Sequence, residues 1–519
     1  MNNTKISFAD TQQFSELFLD YIQQKETLRD FYHLPPEITS FSKQLALKQE
    51  FPQSRREVLV EVLNKQYEDI AHPPTDQIQK LQNKNTFTVT TGHQLNILTG
   101  PLYFVYKIVS VINLAKKLEA TYPEYNFVPV YWMATEDHDF EEIRKIVLFG
   151  RDFTWEHPEP KGAVGRMELQ GVTEMMEQIG EVPTFIKEAY QQNDNLANAT
   201  RQLVNYLFCK EGLVIIDADN QALKAGFVDV IKDDLTQHTA KKLADEGTNA
   251  LEKLGYKSQV FPRDINFFYL VDGLRERIEK NEKIYEVLNT DITFTEQAIL
   301  EKVEQAPECF SPNVALRPVY QEMILPNLAY IGGPAEVAYW LQLKGVFDHY
   351  KVPFPILLPR NFAMVLNKSN GKKFNKLGLS HQDLFKHEHE LRANFVESNA
   401  EVNLELDQEI TALEKVFEGI LGKAVTIDPS LKGYIGAETQ RMIKQIENIR
   451  KRLKKAEENK QETEVKQLVN LKEKLFPNDA PQERVENFMS FYLNNPEFIK
   501  DLLYYFNPLD FTYNVMEDE

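Results

Sequence analysis

The sequence predicts an α/β protein built on an open parallel sheet of Rossmann type, followed by a long antiparallel helical hairpin. Three observations predict it. Apolar or β-branched runs that end in polar clusters alternate with helical patterns up to about residue 380. A proline at 101 opens a long apolar helix between two such runs, the strand–loop–helix–strand order of a βαβ unit. Beyond residue 383, two stretches carry apolar residues at alternating spacings of four and three, the seam of a coiled coil.

The elements follow in order. Phe14, Leu17, Phe18 and Tyr21 share a helical face, as do Val58, Leu59, Val62 and Leu63. NTFTVTT (85–91) reads as a strand and runs into TGHQLNILTGP; LYFVYKIVSVINLAKKLEA then has helical period. FVPVYWMATEDHD is a second strand with a polar end. LVIIDAD (213–219), NVALRPVY (313–320) and FPILLPR (354–360) are further predicted strands, and the variable stretch of roughly 150–310 has room for an inserted subdomain.

In the C-terminal part, Leu406, Ile410, Leu413, Phe417 and Ile420 form one heptad seam and Met442, Ile446, Ile449, Leu453 and Ala456 another. A loop through Gly422, Pro429, Gly433 and Gly436 joins them. Of the 41 residues from Gly436 to Phe476, 18 are charged, which suits a solvated helix burying only a narrow stripe. A continuous second arm would be roughly 60 Å long at 1.5 Å per residue. The stripe can be covered by the partner arm or by a second subunit, and a homodimer is expected. The expected divisions are 1–150 (first part of the core), 151–310 (core continuation with an insertion), 311–382 (second part of the core), 383–476 (hairpin) and 477–519 (a segment folding back on the core).

Composition limits the functions available. The 519 residues are 42% hydrophobic and 26% charged, enough apolar material for several cores. With 59 Lys and Arg against 78 Asp and Glu, the net charge of −19 provides no global field for a nucleic-acid backbone. Cys209 and Cys309 stand alone, which excludes a disulfide framework or a cysteine zinc site. No basic n-region precedes an apolar core at the N-terminus, and no uncharged apolar run approaches the ~18 residues of a membrane span. A cytoplasmic protein without membrane partners is the expectation.

Open parallel sheets bind ligands beyond the carboxyl ends of their strands. Thr91, Gly92, His93 and Gln94, followed by Thr99, Gly100 and Pro101, lie there. Small residues before a helix let backbone N–H groups approach an anion, and His93 can add a donor; a plain βα turn is the alternative. Glu136, Asp137, His138 and Asp139 end the next strand. Such a cluster can hold a substrate ammonium or deprotonate an attacking amine, or it can be a solvated loop; no fitting His/Asp set completes a metal site. In LPNLAYIGGPAEVAYWLQLK, Gly332, Gly333 and Pro334 precede a helix carrying Glu336 and Tyr339. Glu336 there serves chemistry or simply complements the helix dipole. Arg317 and Arg360 must find a carboxylate or phosphate, in a ligand or in Glu136 or Asp139.

The segments TGHQLNILTGPLYFVYKI, VPVYWMATEDHDFEEI, ALRPVYQEMILPNLAYIGGPAEVAYWLQLK and LFPNDAPQERVENF resemble the cysteine-adding BshC family of bacillithiol biosynthesis, collinearly from about residue 85 onward. The resemblance implies a nucleotidyltransferase-like Rossmann core related to class I aminoacyl-tRNA synthetases, with a connecting-peptide insertion and a dimerising coiled-coil arm. It implies a ligase that joins L-cysteine to glucosaminyl-malate through an amide bond, and a nucleotide, ATP or ADP, with a further nucleotide site beside the coiled coil and C-terminal region. The family more often has glutamine where this chain has His93, and the related synthetases use two histidines where this loop has one. On this reading Thr91, Gly92, His93, Gln94, Thr99, Gly100, Lys107, Arg317, Gly332, Gly333, Tyr339 and Arg360 bind nucleotide or substrate. Glu136, His138, Asp139 and Glu336 are the acid, base and ammonium-binding candidates. Two other readings are an adenylating enzyme of the same superfold and a non-catalytic coiled-coil interaction protein on a nucleotide-binding core.

Overall fold

The computed structural model describes residues 1–518. The described residues divide into two units: one of residues 5–364 and 482–514, the other of residues 1–4, 365–481 and 515–518.

The first unit is organised by a five-stranded parallel sheet. Its strands are β1 (Thr86–His93), β2 (Asn126–Met133), β3 (Val214–Asp217), β4 (Asn327–Gly332) and β5 (Ile356–Pro359), in the spatial order β5-β4-β1-β2-β3. β1 and β2 pair in register from Thr86 with Asn126 to His93 with Met133, and β4 pairs with β1 on the other side. All eight residues of β1 are buried, which is why it reads as a near-continuous apolar and β-branched run. The chain moves outward from β1 through β2 to β3, then returns to β1's other side for β4 and β5. Strand order therefore reverses between β1 and β4, and a crevice opens at their carboxyl ends.

Helix α1 (Tyr103–Thr121) connects β1 to β2 and buries nearly every residue of its first three turns. Its Val111, Leu114 and Leu118 join Phe87 and Val89 of β1, Phe127 of β2, Leu328 and Ile331 of β4 and Ile356 and Leu358 of β5 in one core. α2 (Arg317–Ile324) and α3 (Pro334–Leu341) flank β4. The sequence pattern puts a strand at NVALRPVY, but Arg317 begins a helix there. Pro318 suits the first turn of a helix and Arg317 N–H donates to Asn313 O, so the apolar residues fall on a helical face. Between β3 and β4 lies a second, antiparallel sheet ordered 293–295, 284–287, 274–281, 267–271 and 310–312.

In the second unit the hairpin consists of α4 (Asp407–Ile427) and α5 (Leu431–Lys460), continued by α6 (Glu462–Leu475). The turn is shorter than the glycines suggest. Only Asp428–Ser430 break the helices, with Ser430 N–H donating to Asp428 Oδ1, while Gly422, Gly433 and Gly436 are helical. The second arm is not continuous: it breaks at Gln461, so its longest helix is 30 residues, about 45 Å. The apolar stripe that ends at Ala456 resumes out of phase at Val465, Leu468, Leu471 and Leu475, and the break lets these four be buried. Among the described residues no helix is long and apolar enough to cross a membrane.

Candidate active site

Two charged clusters line the carboxyl ends of the sheet. The first sits at the reversal between β1 and β4. Lys107, on the second turn of α1 and 3% exposed, places Nζ 2.5 Å from Glu336 Oε2 and donates to Gly92 O at 2.8 Å. Glu336 also accepts from Tyr330 Oη (2.6 Å) and from Gly333 N–H (2.7 Å), the latter a bond that closes the start of α3. Burial pushes the Glu336 carboxyl up, but Lys107, Tyr330 and the Gly333 amide together outweigh it and hold the group below its ordinary value. Burial also lowers the Lys107 ammonium by more than Glu336 restores.

Arg317 opens α2 over the same crevice. Its guanidinium lies 5.8 Å from the Trp132 ring centre and 5.6 Å from that of Tyr330, donates to Gln321 Oε1 at 3.0 Å and is hydrogen-bonded with Tyr339. No carboxylate of the described residues lies within 4 Å of it. Gly92 keeps the space beside it: a Cβ there would stand 3.2 Å from Tyr330 Oη and 3.7 Å from Arg317 Nη1. Arg317 thus has ring and amide neighbours but no counter-ion.

The second cluster sits at the ends of β2 and β3. Glu136 is ion-paired with the fully buried Lys224, whose Nζ is 3.6 Å from Asp219 and donates to Glu308 O at 3.1 Å. Burial raises the Glu136 carboxyl to about 7 despite Lys224. Arg166 forks onto Asp219 at 2.8 and 3.1 Å. Arg275, from the antiparallel sheet, reaches His138 Nδ1 at 2.8 Å. Burial would raise Asp137, but hydrogen bonds from Gln94 and the His138 backbone N–H and the charge of Arg275 hold its carboxyl well below the carboxylate range. The clusters meet at Trp132, whose ring contacts both Arg317 and Tyr320; Tyr320 Oη donates to Ala218 O at the end of β3.

Several expected site residues have other work. Arg360 finds neither Glu136 nor Asp139: it pairs with Glu483 at 2.6 Å between the rings of Tyr103 and Phe362, so its charge is already matched. Asp139 is exposed and caps a short helix by accepting from Glu142 N–H at 3.2 Å. Thr91 Oγ1 donates to Ile331 O, tying β1 to β4, and Gln94 bridges Asp137 and Glu142. The turn through Thr99 and Gly100 does not offer its amides freely. Leu98 N–H goes to Tyr190 Oη, Gly100 N–H to Ile97 O and Leu102 N–H to Glu486 O, while Asn487 Nδ2 holds Leu98 O and Gly100 O. Gly100 is required, because φ is +64° and a Cβ would meet Asn96 at 2.4 Å. His93 is buried against Tyr103 and Phe104; burial, then Lys107 and Arg360, press it to the neutral form. Gly332 stands too close to Glu336 and Tyr330 to carry a side chain without shifting them.

Lys224, Arg275, Arg166, Asp219, Tyr330 and Trp132 were not singled out by sequence. Asp219 ends a predicted strand and was findable by that rule; Lys224 and Arg275 lie in ordinary helix and strand text and become visible only in space. No three His, Cys, Asp or Glu side chains of the described residues are arranged to hold a metal.

Two family models cover the chain: the N-terminal Rossmann-like domain of bacillithiol biosynthesis BshC over residues 1–361, and its C-terminal coiled-coil domain over 363–517. A cysteine ligase BshC of Flavobacterium psychrophilum is 42% identical over 99% of both chains, and that of Christiangramia forsetii 41% identical over 98% of both. That of Cytophaga hutchinsonii is 40% identical over 98% of this chain and 97% of its own. A solved arginyl-tRNA synthetase structure from Campylobacter jejuni aligns at 12% identity over 86% of this chain and 94% of its own with a TM-score of 0.18, too low to bear on the fold. The full-length matches and the Rossmann-like sheet joined to a helical hairpin agree: this chain belongs to the bacillithiol biosynthesis BshC family.

Proposed function

We propose that the protein is a ligase that joins the carboxyl of L-cysteine to the amine of glucosaminyl-malate, completing bacillithiol by an amide bond. The observation that carries this reading is Arg317, a guanidinium without a counter-ion at the strand-order reversal, beside the Lys107–Glu336 pair. A half-buried cation held there by two aromatic rings has its place stabilised by a ligand carboxylate or phosphate. The finer fold reading, a nucleotidyltransferase-like core related to class I aminoacyl-tRNA synthetases with a connecting-peptide insertion, goes with this proposal.

The parts divide as follows. Arg317 and Lys107 face the anionic groups, with Tyr339 and Gly92 shaping the space. Glu336 receives the cysteine ammonium. Glu136, whose carboxyl burial raises to about 7, is available as a carboxylate at and above neutral pH and takes the proton of the attacking glucosamine amine. A bound nucleoside triphosphate supplies the activation of the cysteine carboxylate, and Arg317 and Lys107 are the cations suited to its phosphates. The remaining residues at the strand ends (Thr91, His93, Gln94, Gly332 and Gly333) build the walls rather than touch the reacting atoms.

A homodimer through the hairpin belongs to the same reading. Val416, Ile420 and Ile427 on α4, and Met442, Ile449 and Leu453 on α5, keep 41–83% of their surface exposed at spacings of four and seven. Stripes of that spacing are what a second copy would cover. A cytoplasmic location suits a protein whose two cysteines are both free.

The test is direct. Purified protein with L-cysteine, glucosaminyl-malate and ATP should form the cysteinyl amide by mass spectrometry, and a strain lacking the protein should accumulate glucosaminyl-malate. No product, together with no calorimetric binding of cysteine or glucosaminyl-malate, would overturn the assignment.

A further inference from the structure

We propose that Arg275 is a positioning residue that holds His138 as a neutral imidazole with its proton on Nε2, so that His138 presents a hydrogen-bond donor to the substrate. The donor role rests on the ligase reading; the tautomer does not.

The argument is one of donors and acceptors. Arg275 Nη1 lies 2.8 Å from His138 Nδ1. A guanidinium has only N–H donors, so Nδ1 must accept and its ring proton must sit on Nε2. A doubly protonated ring would set Nδ1–H against another cationic donor at hydrogen-bond distance. The one nearby acceptor for such a proton, Asp137 Oδ1, is 3.7 Å from Nδ1, too far to compete; it takes the His138 backbone N–H at 2.8 Å instead.

The guanidinium itself is fixed. It is 8% exposed, lies 3.9 Å over the Phe268 ring and donates through Nε to Ser311 Oγ at 3.1 Å. Phe268 also packs against the His138 ring. Phe268, Arg275 and Ser311 come from three adjacent strands of the antiparallel sheet, so that sheet clamps the loop after β2. His138 keeps 45% of its side chain exposed, and Nε2 has no bonded partner among the described residues. What it offers outward is therefore a donor for a substrate oxygen, and the proton-accepting role stays with Glu136.

The tautomer can be read in the full chain with 15N-labelled histidine, His138 being identified among the 10 histidines by its loss in H138Q. Near neutral pH, wild-type protein should show a protonated Nε2 and a bare Nδ1. A protonated Nδ1, or a doubly protonated ring, overturns the proposal whether or not the protein turns over and whether or not variants fold. In the ligase assay, Arg275→Gln should lower kcat by about 10- to 100-fold with KM little changed, no more than the contribution of the proton donor it positions. In an H138A background the same change should cost nothing further. An equal loss in both backgrounds would show that Arg275 acts without His138 and would sink the positioning role. Absence of any turnover would count against the ligase reading alone, because the ring spectrum still decides the tautomer.

Discussion

Arg317 is set apart in the site by the absence of a carboxylate within 4 Å, and Glu136 by a carboxyl that burial raises to about 7. Arg317 owes its value to planarity: it is held by rings and an amide, with its remaining donors free for a carboxylate or phosphate. Lysine would keep the charge and lose the fork. Arg317→Lys should raise KM for the anionic substrate by about 10- to 100-fold, the worth of a hydrogen bond to a charged group, with the thermal midpoint almost unmoved. Unchanged KM would remove Arg317 from binding. Glu136 makes a prediction in pH. Its folded value of about 7 stands above the ordinary 4.5, so between those values the folded state holds a proton the unfolded chain has lost. Stability from this group is complete below 4.5 and is lost as pH rises towards 7. Wild-type kcat should rise with pH through neutrality, and Glu136→Gln should remove that rise and flatten the stability slope in urea titrations at pH 5 and 8. If the rise persists in Glu136→Gln, another group is the base.

At the level of single elements, the β1–α1 loop was legible by letter but not by function. TGHQLNILTGP reads as a phosphate cradle because it has small residues before a helix. In space most of its donors are taken, and two of its carbonyls are held by the buried Asn487. Asn487→Ala should cost about 2–4 kcal/mol by leaving two buried carbonyls unpaired, seen as a lower urea midpoint with an unchanged slope; a loss below about 0.5 kcal/mol would mean water replaces it. β1, β2, β3 and β5 were readable because buried parallel strands write themselves as apolar runs. α2 was misread as a strand because an eight-residue apolar segment with a proline has no periodicity long enough to separate the two. The hairpin was readable from its heptads, but its turn was not, since three glycines sit inside helices where only Pro429 and the Asp428 turn end them.

For the whole molecule, charge and chain order matter more than any one contact. The net charge of −19 reflects an excess of carboxylates, and most cations of the site stand beside one: Lys107 with Glu336, Lys224 with Glu136 and Asp219, Arg166 with Asp219 and Arg360 with Glu483, while Arg317 has none within 4 Å. Sequence could list these cations but could not pair them, because partners lie as much as 229 positions apart, as Lys107 and Glu336 do. The hairpin makes the prediction at this scale. Ile449→Glu with Leu453→Glu should convert a dimer to a monomer in sedimentation velocity while leaving far-ultraviolet circular dichroism unchanged; an unaltered sedimentation coefficient would place any self-association elsewhere.

The Asn487 tether has a consequence for synthesis. The segment that anchors the loop after the first sheet strand resumes at residue 482, only after the whole coiled coil and 118 positions beyond residue 364. At about 5–20 residues per second, an emerging polypeptide waits roughly 6–24 s with that loop unanchored. During that interval Leu98 O and Gly100 O lack their Asn487 partner, and a chain truncated within the coiled coil would keep that loop untethered.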